Sequence, residues 1–202
     1  VVFAGGINKP RALDMRPDLR AARLLFQVRN RNDNSLLQAV ATLLESEGLT
    51  PISPLEFVPF LRTPAGILTK REPTRQERAD IAFGWPMAQE IGRMDIGQCI
   101  VVRDQMVIAV EAIEGTNEVI RRAGRLGGKG CVVLKTFKPG QEEHIDQPAI
   151  GLETIRTMIQ AETKCLAIEA GKSLFFDRDQ AIEVANEARM CIVGYSPEDA
   201  LA

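Results

Sequence analysis

Six short apolar runs in the second half of the chain fix its class: CIVV from Cys99, MVIAVEA from Met106, CVVLKTF from Cys131, CLAIEA from Cys165, SLFF from Ser173 and MCIVG from Met190. Most are rich in β-branched residues, which suit a pleated surface, and all are too short for a buried helix. Between them, residues 116–123, 152–161 and 178–188 carry helical spacing. Strands alternating with helices in this way predict a mixed α/β domain, a sheet covered by helices. Because Arg103-Asp104-Gln105 alone separates the first two runs, those two are expected to pair as a hairpin.

The first half reads differently. Val1 to Ala4 is a short β run, and Gly5-Gly6 lets the backbone turn or come close to a ligand. With no turn or cap ahead of that run and no initial Met, the chain reads as lacking its natural N-terminus. Asn32, Asp33, Asn34 and Ser35 are candidate N-caps for a helix with Leu36, Leu37, Val40, Leu43 and Leu44 on one face, and Gly48 stops it. A loop rich in Pro follows, then Thr74-Arg75-Gln76-Glu77, a capping box that opens a long helix toward Met94; Gly84 and Pro86 are expected to kink it. Asp95 to Gln98 reads as a linker, which gives domains at 1–95 and 96–202, with a tail from Tyr195.

A chain of 202 residues with 45% hydrophobic content can bury a real core. No apolar run approaches the roughly 20 residues a membrane span needs, and no signal pattern opens the chain. The expected location is therefore the cytoplasm, peripheral on a membrane surface at most. Cys99, Cys131, Cys165 and Cys191 lack the close spacing of a metal or redox pair and read as reduced core residues. With 25 basic and 27 acidic side chains the overall balance argues against nucleic acid as a partner. Locally the balance is upset. Positions 121–138 hold Arg121, Arg122, Arg125, Lys129, Lys135 and Lys138 and no acid, which points to an anionic partner.

Carboxylates flank this island: Glu111 and Glu114 before it, Asp146 after it. Glu114-Gly115-Thr116 stands where a strand gives way to a helix, with Thr116 suited to N-cap; free N–H groups at such a junction form a phosphate cradle, although simple capping explains the tripeptide equally well. GRLGGKG is not a Walker loop, since Gly130 follows Lys129 where Ser or Thr is required. Lys135 and Lys138 flank the end of a strand and the turn Pro139-Gly140-Gln141, where α/β proteins place ligands. Asp146, held in a loop restricted by Pro148 and Gly151, could orient water, ligate Mg²⁺ or merely cap a turn. His144 reads as exposed. Glu169-Ala170-Gly171-Lys172 either lines the same cleft or simply closes a strand. Phe57, Val58, Phe60 and Leu61 make an apolar patch whose expected use is core packing.

In chain order, AGGINKP, DIGQCIVVRDQMVIAVEAIEGTNEVIRRAG, the segment from Lys135 to Gly140, DQPAIG and IEAGKSLFFDRD closely resemble the LpxI family of UDP-2,3-diacylglucosamine pyrophosphatases. The resemblance runs over nearly the whole chain. It implies Mg²⁺-dependent hydrolysis of UDP-2,3-diacylglucosamine to UMP and 2,3-diacylglucosamine 1-phosphate in lipid A biosynthesis, with transient contact at the inner membrane. It implies a catalytic role for Asp146 and places Gly5, Gly6, Glu114, Gly115, Thr116, Lys135, Lys138 and Gln141 against the substrate. Candidate metal ligands are Glu111, Glu114 and Asp146. The implied fold is an N-terminal Rossmann-like domain, here lacking its first βα unit, and a C-terminal α/β domain, with substrate between them; a homodimer is compatible with it. Asn117 departs from the family, which usually carries Asp after Gly-Thr, and this weakens any metal role there. The alternative is a UDP-sugar or lipid-phosphate binding module without chemistry.

Overall fold

A computed structural model describes residues 1–3, 18, 33–139 and 147–196. The chain divides into two compact units, residues 1–59 with 141–146 and residues 60–140 with 147–202. Gly5, Gly6, Gln141, His144 and Asp146 lie outside the described residues.

In the first unit, helix α1 (Asp33–Ser46) buries Leu37 and Ala41 against Phe3. It ends where the sequence stops it: Gly48 takes φ +81, and the Gly48 and Leu49 N–H groups donate back to the Glu45 and Leu44 carbonyls. Val1 to Phe3 forms no strand, though Ile52 N–H donates to the Val1 carbonyl. Phe57 is 64% exposed, so the expected core role of the aromatic patch fails here.

The second unit holds a six-stranded sheet made of β1 (Gly66–Ile67), β2 (Cys99–Arg103), β3 (Met106–Val110), β4 (Val132–Lys135), β6 (Cys165–Glu169) and β8 (Cys191–Tyr195), in the order β1-β8-β6-β4-β2-β3. Strands β4, β6 and β8 run parallel, and β2 and β1 oppose their neighbours. Strands β2 and β3 form the expected hairpin, turning through Asp104 (φ 51) and Gln105 (φ 57). A two-stranded parallel pair, β5 (Ala149–Ile150) with β7 (Leu174–Phe175), completes the strands.

Each sheet face has its own cover. Val101, Val133, Leu166, Ile168 and Ile192 pack among residues of α3 (Thr116–Gly127), α4 (Leu152–Gln160) and α5 (Arg178–Glu187). Ile100, Val102, Leu134, Ala167 and Val193 pack on Ile81, Trp85 and Ala88 of helix α2 (Arg75–Arg93). That helix opens with the expected capping box, Thr74 with Glu77, and is assigned as one helix through Gly84 and Pro86. Gly84 serves close packing: a Cβ there would sit 2.3 Å from Leu134 Cδ1. By sequence, the change from helix to short strands at Asp95 to Gln98 places helix α2 in the N-terminal domain of residues 1–95. In the structure its apolar face lies on the sheet, within the unit that begins at Phe60. Tyr195, read as the start of a tail, ends β8 and packs against Trp85, with ring centroids 4.4 Å apart and planes tilted by 51°. All four cysteines are buried and free. Burial pushes the Cys99 thiol far up, out of any reactive range.

Candidate functional site at one sheet edge

Because β2 opposes both β3 and β4, the last residues of β3 and β4 and the first of β2 emerge at one edge, together with the last residues of β6 and β8. This edge collects most of the sequence-predicted residues that the structure describes. Glu111 follows β3 and is 7% exposed; Lys135 ends β4 and is 5% exposed. Thr116 begins α3 between them. Lys135 Nζ donates to Thr116 Oγ1 (2.9 Å) and to the Ala149 carbonyl (2.8 Å), and the Thr116 hydroxyl donates to Glu111 Oε1 (2.8 Å). Gln98 N–H donates to Glu111 Oε2 at 3.2 Å. One chain of hydrogen bonds thus ties β2, β3, α3, β4 and β5.

The network corrects the sequence reading of Thr116. Gly115 is the N-cap, at φ 82, and no side chain caps the helix. The Thr116 hydroxyl is drawn to Glu111 and Lys135, buried charges that need partners more than an exposed helix end does. The first N–H groups of α3 are left without side-chain acceptors. Gly97 permits the close approach of β2 and β3 here, since a Cβ on it would lie 2.1 Å from the Glu111 carbonyl oxygen.

Lys138 and Glu114 take separate paths. Lys138 pairs with Asp95 at 2.7 Å, and both side chains are largely buried. Asp95, read as linker, takes φ 54 to reach that position. Gly92 gives room for the Lys138 backbone, 3.3 Å from where its Cβ would be. Glu114 accepts from Arg122 at 2.5 Å and from Ala112 N–H at 3.1 Å. Backbone N–H donation and then the Arg122 guanidinium hold its carboxyl below the usual range. At the neighbouring strand end, Glu169 is 5% exposed, accepts from Phe137 N–H (2.7 Å) and pairs with Lys172 (3.2 Å). The turn read from 169–172 therefore lines the edge and closes it too.

The basic island does not survive as one positive patch. Arg121 pairs with Glu118, Arg122 with Glu114, Lys129 with Glu162 and Lys138 with Asp95, while Lys135 is buried in the network. The acids that meet these cations come from outside positions 121–138, which is why the sequence window hid them.

A metal site does not assemble from the described residues. Among them no three His, Cys, Asp or Glu side chains gather around one point. Glu111 and Glu114 turn both oxygens toward protein donors, one of them a guanidinium, so this donor set does not fit Mg²⁺. Asn117, the departure noted in the sequence, donates to Glu153.

Phe60 (66% exposed) and Phe176 (43% exposed) border an open cavity of about 390 Å³, with Leu61, Phe175, Asp177 and Arg178 also in its lining. Sequence reading placed Phe60 in a core. Its actual setting comes from packing with β7 and α5, more than 100 residues on, which local pattern does not reveal.

Comparison with known proteins bears on the whole chain. The model described as the LpxI N-terminal domain matches residues 1–61, and that described as the LpxI C-terminal domain matches residues 64–193. Their junction lies within a few residues of the division between the two compact units. A Caulobacter vibrioides protein named UDP-2,3-diacylglucosamine pyrophosphatase LpxI is 34% identical over 210 residues, which cover 98% of this chain and 75% of that protein.

Proposed function

The chain belongs to the LpxI family, and from that premise we propose that it hydrolyses the pyrophosphate bond of UDP-2,3-diacylglucosamine to UMP and 2,3-diacylglucosamine 1-phosphate. The observation that carries the reading is the 34% identity, spread over 98% of the chain, to a relative bearing that activity in its name. In this reading water attacks the α-phosphorus. A new P–O bond forms to the water oxygen, the bond to the bridging oxygen breaks, and the lipid phosphate departs.

The chain's own residues supply positioning and electrostatics, which dominate reactions of this kind. The N–H groups of α3 after Gly115, free of side-chain caps, are the proposed donors to the diphosphate, aided by the positive end of the helix. Lys135 acts one step behind them: it fixes Thr116, and through the Ala149 carbonyl it fixes the backbone three residues after Asp146. Lys138, held by Asp95, fixes the other flank. Asp146 is the proposed catalytic carboxylate, and Gly5, Gly6 and Gln141 are proposed substrate contacts from the family resemblance.

The same resemblance extends the proposal to a Rossmann-like N-terminal domain and to work at the surface of the inner membrane as a monomer or homodimer. No described helix is long and apolar enough to cross a membrane. Mg²⁺ dependence is also proposed, with no ligand assigned to it. The test is UMP release by Asp146→Ala. Turnover should fall at least about 1,000-fold while UDP-2,3-diacylglucosamine still binds; undiminished turnover would overturn the assignment.

A further inference from the structure

Four apolar side chains, Phe60, Leu61, Phe175 and Phe176, line the cavity beside β7, and hydrogen bonds fix the backbone that carries them. Arg62 forms an antiparallel bridge with Leu174, and Thr63 N–H donates to the Ser173 carbonyl at 2.9 Å, which holds Phe60 and Leu61 alongside Phe175 and Phe176. Phe175 is fully buried and forms the floor. The position of the cavity follows from β5. The carbonyls of Pro148 and Ile150 accept from Leu174 and Phe176 N–H groups of β7, while the Ala149 carbonyl between them accepts from Lys135 Nζ. One strand therefore separates the phenyl wall from the strand-end network, a width of about 5 Å for paired strands.

The lining narrows what the cavity can take. Exposed aromatic rings around a concavity mark a binding site for apolar groups. The charged residues of the lining are Asp177, Asp179 and Arg178, two carboxylates against one guanidinium, and Asp179 stands fully in solvent. Such a rim repels phosphate and the anionic headgroups of a bilayer, and it accepts an uncharged chain of methylenes. Size narrows the choice further. Since a cavity of about 150 Å³ holds one benzene, one of about 390 Å³ holds roughly 12 to 16 carbons, which is one acyl chain and not two.

We propose that this cavity receives one of the two acyl chains of the lipid nucleotide, with Phe60 and Phe176 as the pair that sets chain-length specificity. The inference rests on the pyrophosphatase reading. Thr116 and Lys135, beside which that reading puts the diphosphate, and the phenyl wall lie on either side of β5. A chain carried on the glucosamine spans that distance, so the same substrate reaches both.

The experiment measures kcat/KM for UMP release from UDP-2,3-diacylglucosamines in which one chain is lengthened stepwise while the other is kept short, for each acyl position in turn. Full burial of a methylene is worth about fourfold, so a cavity open on one side should give about twofold per methylene, at one acyl position only. The rise should level off once the cavity is full, at roughly 12 to 16 carbons. Replacing both rings, Phe60→Ser with Phe176→Ser, should cut the gain to less than about 1.3-fold per methylene and leave short-chain substrates within about twofold of wild type. Gln180→Trp fills the cavity from its helical wall and should move the plateau to chains about 4 carbons shorter. Phe60, Phe176 and Gln180 are all exposed, so none of these changes threatens the fold. Comparison of proteins at equal chain length cancels any effect of lipid aggregation. The same chain-length dependence in wild type and both variants would overturn the proposal and leave the activity standing. So would a loss equal at every chain length and accompanied by weaker binding to phosphatidylglycerol vesicles, which would assign the two rings to a membrane surface. Absence of UMP release from every substrate would remove the pyrophosphatase reading and this inference with it.

Discussion

Lys135 and Lys129 belong to the same basic stretch, six residues apart, and meet opposite fates. Lys135 is buried at a strand end, donating to a hydroxyl and a main-chain carbonyl that belong to two other elements. Lys129 sits on the surface, its side chain 76% exposed, paired with Glu162, whose side chain is 53% exposed. Their charge is identical; their surroundings decide what it does. In water an ion pair is worth little, whereas a buried ammonium must be met by acceptors and in turn fixes them in place. A run of cations in a sequence is thus weak grounds for a positive surface, and the informative cation is the one the fold has removed from solvent.

The sharpest way to break this contrast is to replace both lysines. Lys135→Met strips Thr116, Ala149 and, one step back, Glu111 of their anchor. We expect a stability loss of about 2–4 kcal/mol and a fall in turnover of at least about 100-fold, read from urea unfolding and UMP release. Lys129→Ala should leave both the urea midpoint and turnover unchanged. Equal effects at the two sites would remove the distinction.

Gly97→Ala probes the same edge through the backbone. The added methyl meets the Glu111 carbonyl, so β2 and β3 must part, at a cost of about 1–3 kcal/mol. A wild-type melting temperature in that variant would show that the edge yields easily.

A smaller effect tests the far side of the sheet. Burial pushes the Glu77 carboxyl up, but the Arg71 guanidinium, with Nη2 2.8 Å from Oε1, and the Thr74 N–H more than offset this and leave it lowered. Since the folded state prefers the ionised form, its contribution is complete above the unfolded value of about 4.3 and is lost as pH falls through the lower folded value. Glu77→Gln should therefore flatten the decline of melting temperature on acidification, and an unchanged decline would discount the pair.

The regular elements were legible in the sequence. Helices α3, α4 and α5 begin where their periodicity begins, and the capping box at Thr74 is where Thr and Glu at that spacing put it. What escaped was set by partners distant in sequence. Strands β1 and β5 have two residues each and exist because β8 and β7 pair with them. Thr116 leaves the N-cap position because a lysine 19 residues on reaches its hydroxyl. Helix α2 joins the sheet because Gly84 lets it lie close on Leu134 and Val102. The gathering of Glu111, Thr116 and Lys135, by contrast, follows from reading strand ends as ligand positions.

The central claim is that this chain cleaves a nucleotide diphosphate linkage by water attack on the uridine side. The most direct measurement is incubation with UDP-2,3-diacylglucosamine in ¹⁸O-labelled water, followed by mass spectrometry of both products. The account predicts UMP and 2,3-diacylglucosamine 1-phosphate in equal amounts, with one labelled oxygen in the UMP and none in the lipid phosphate. Label in the lipid phosphate, or substrate that persists unchanged, would contradict it.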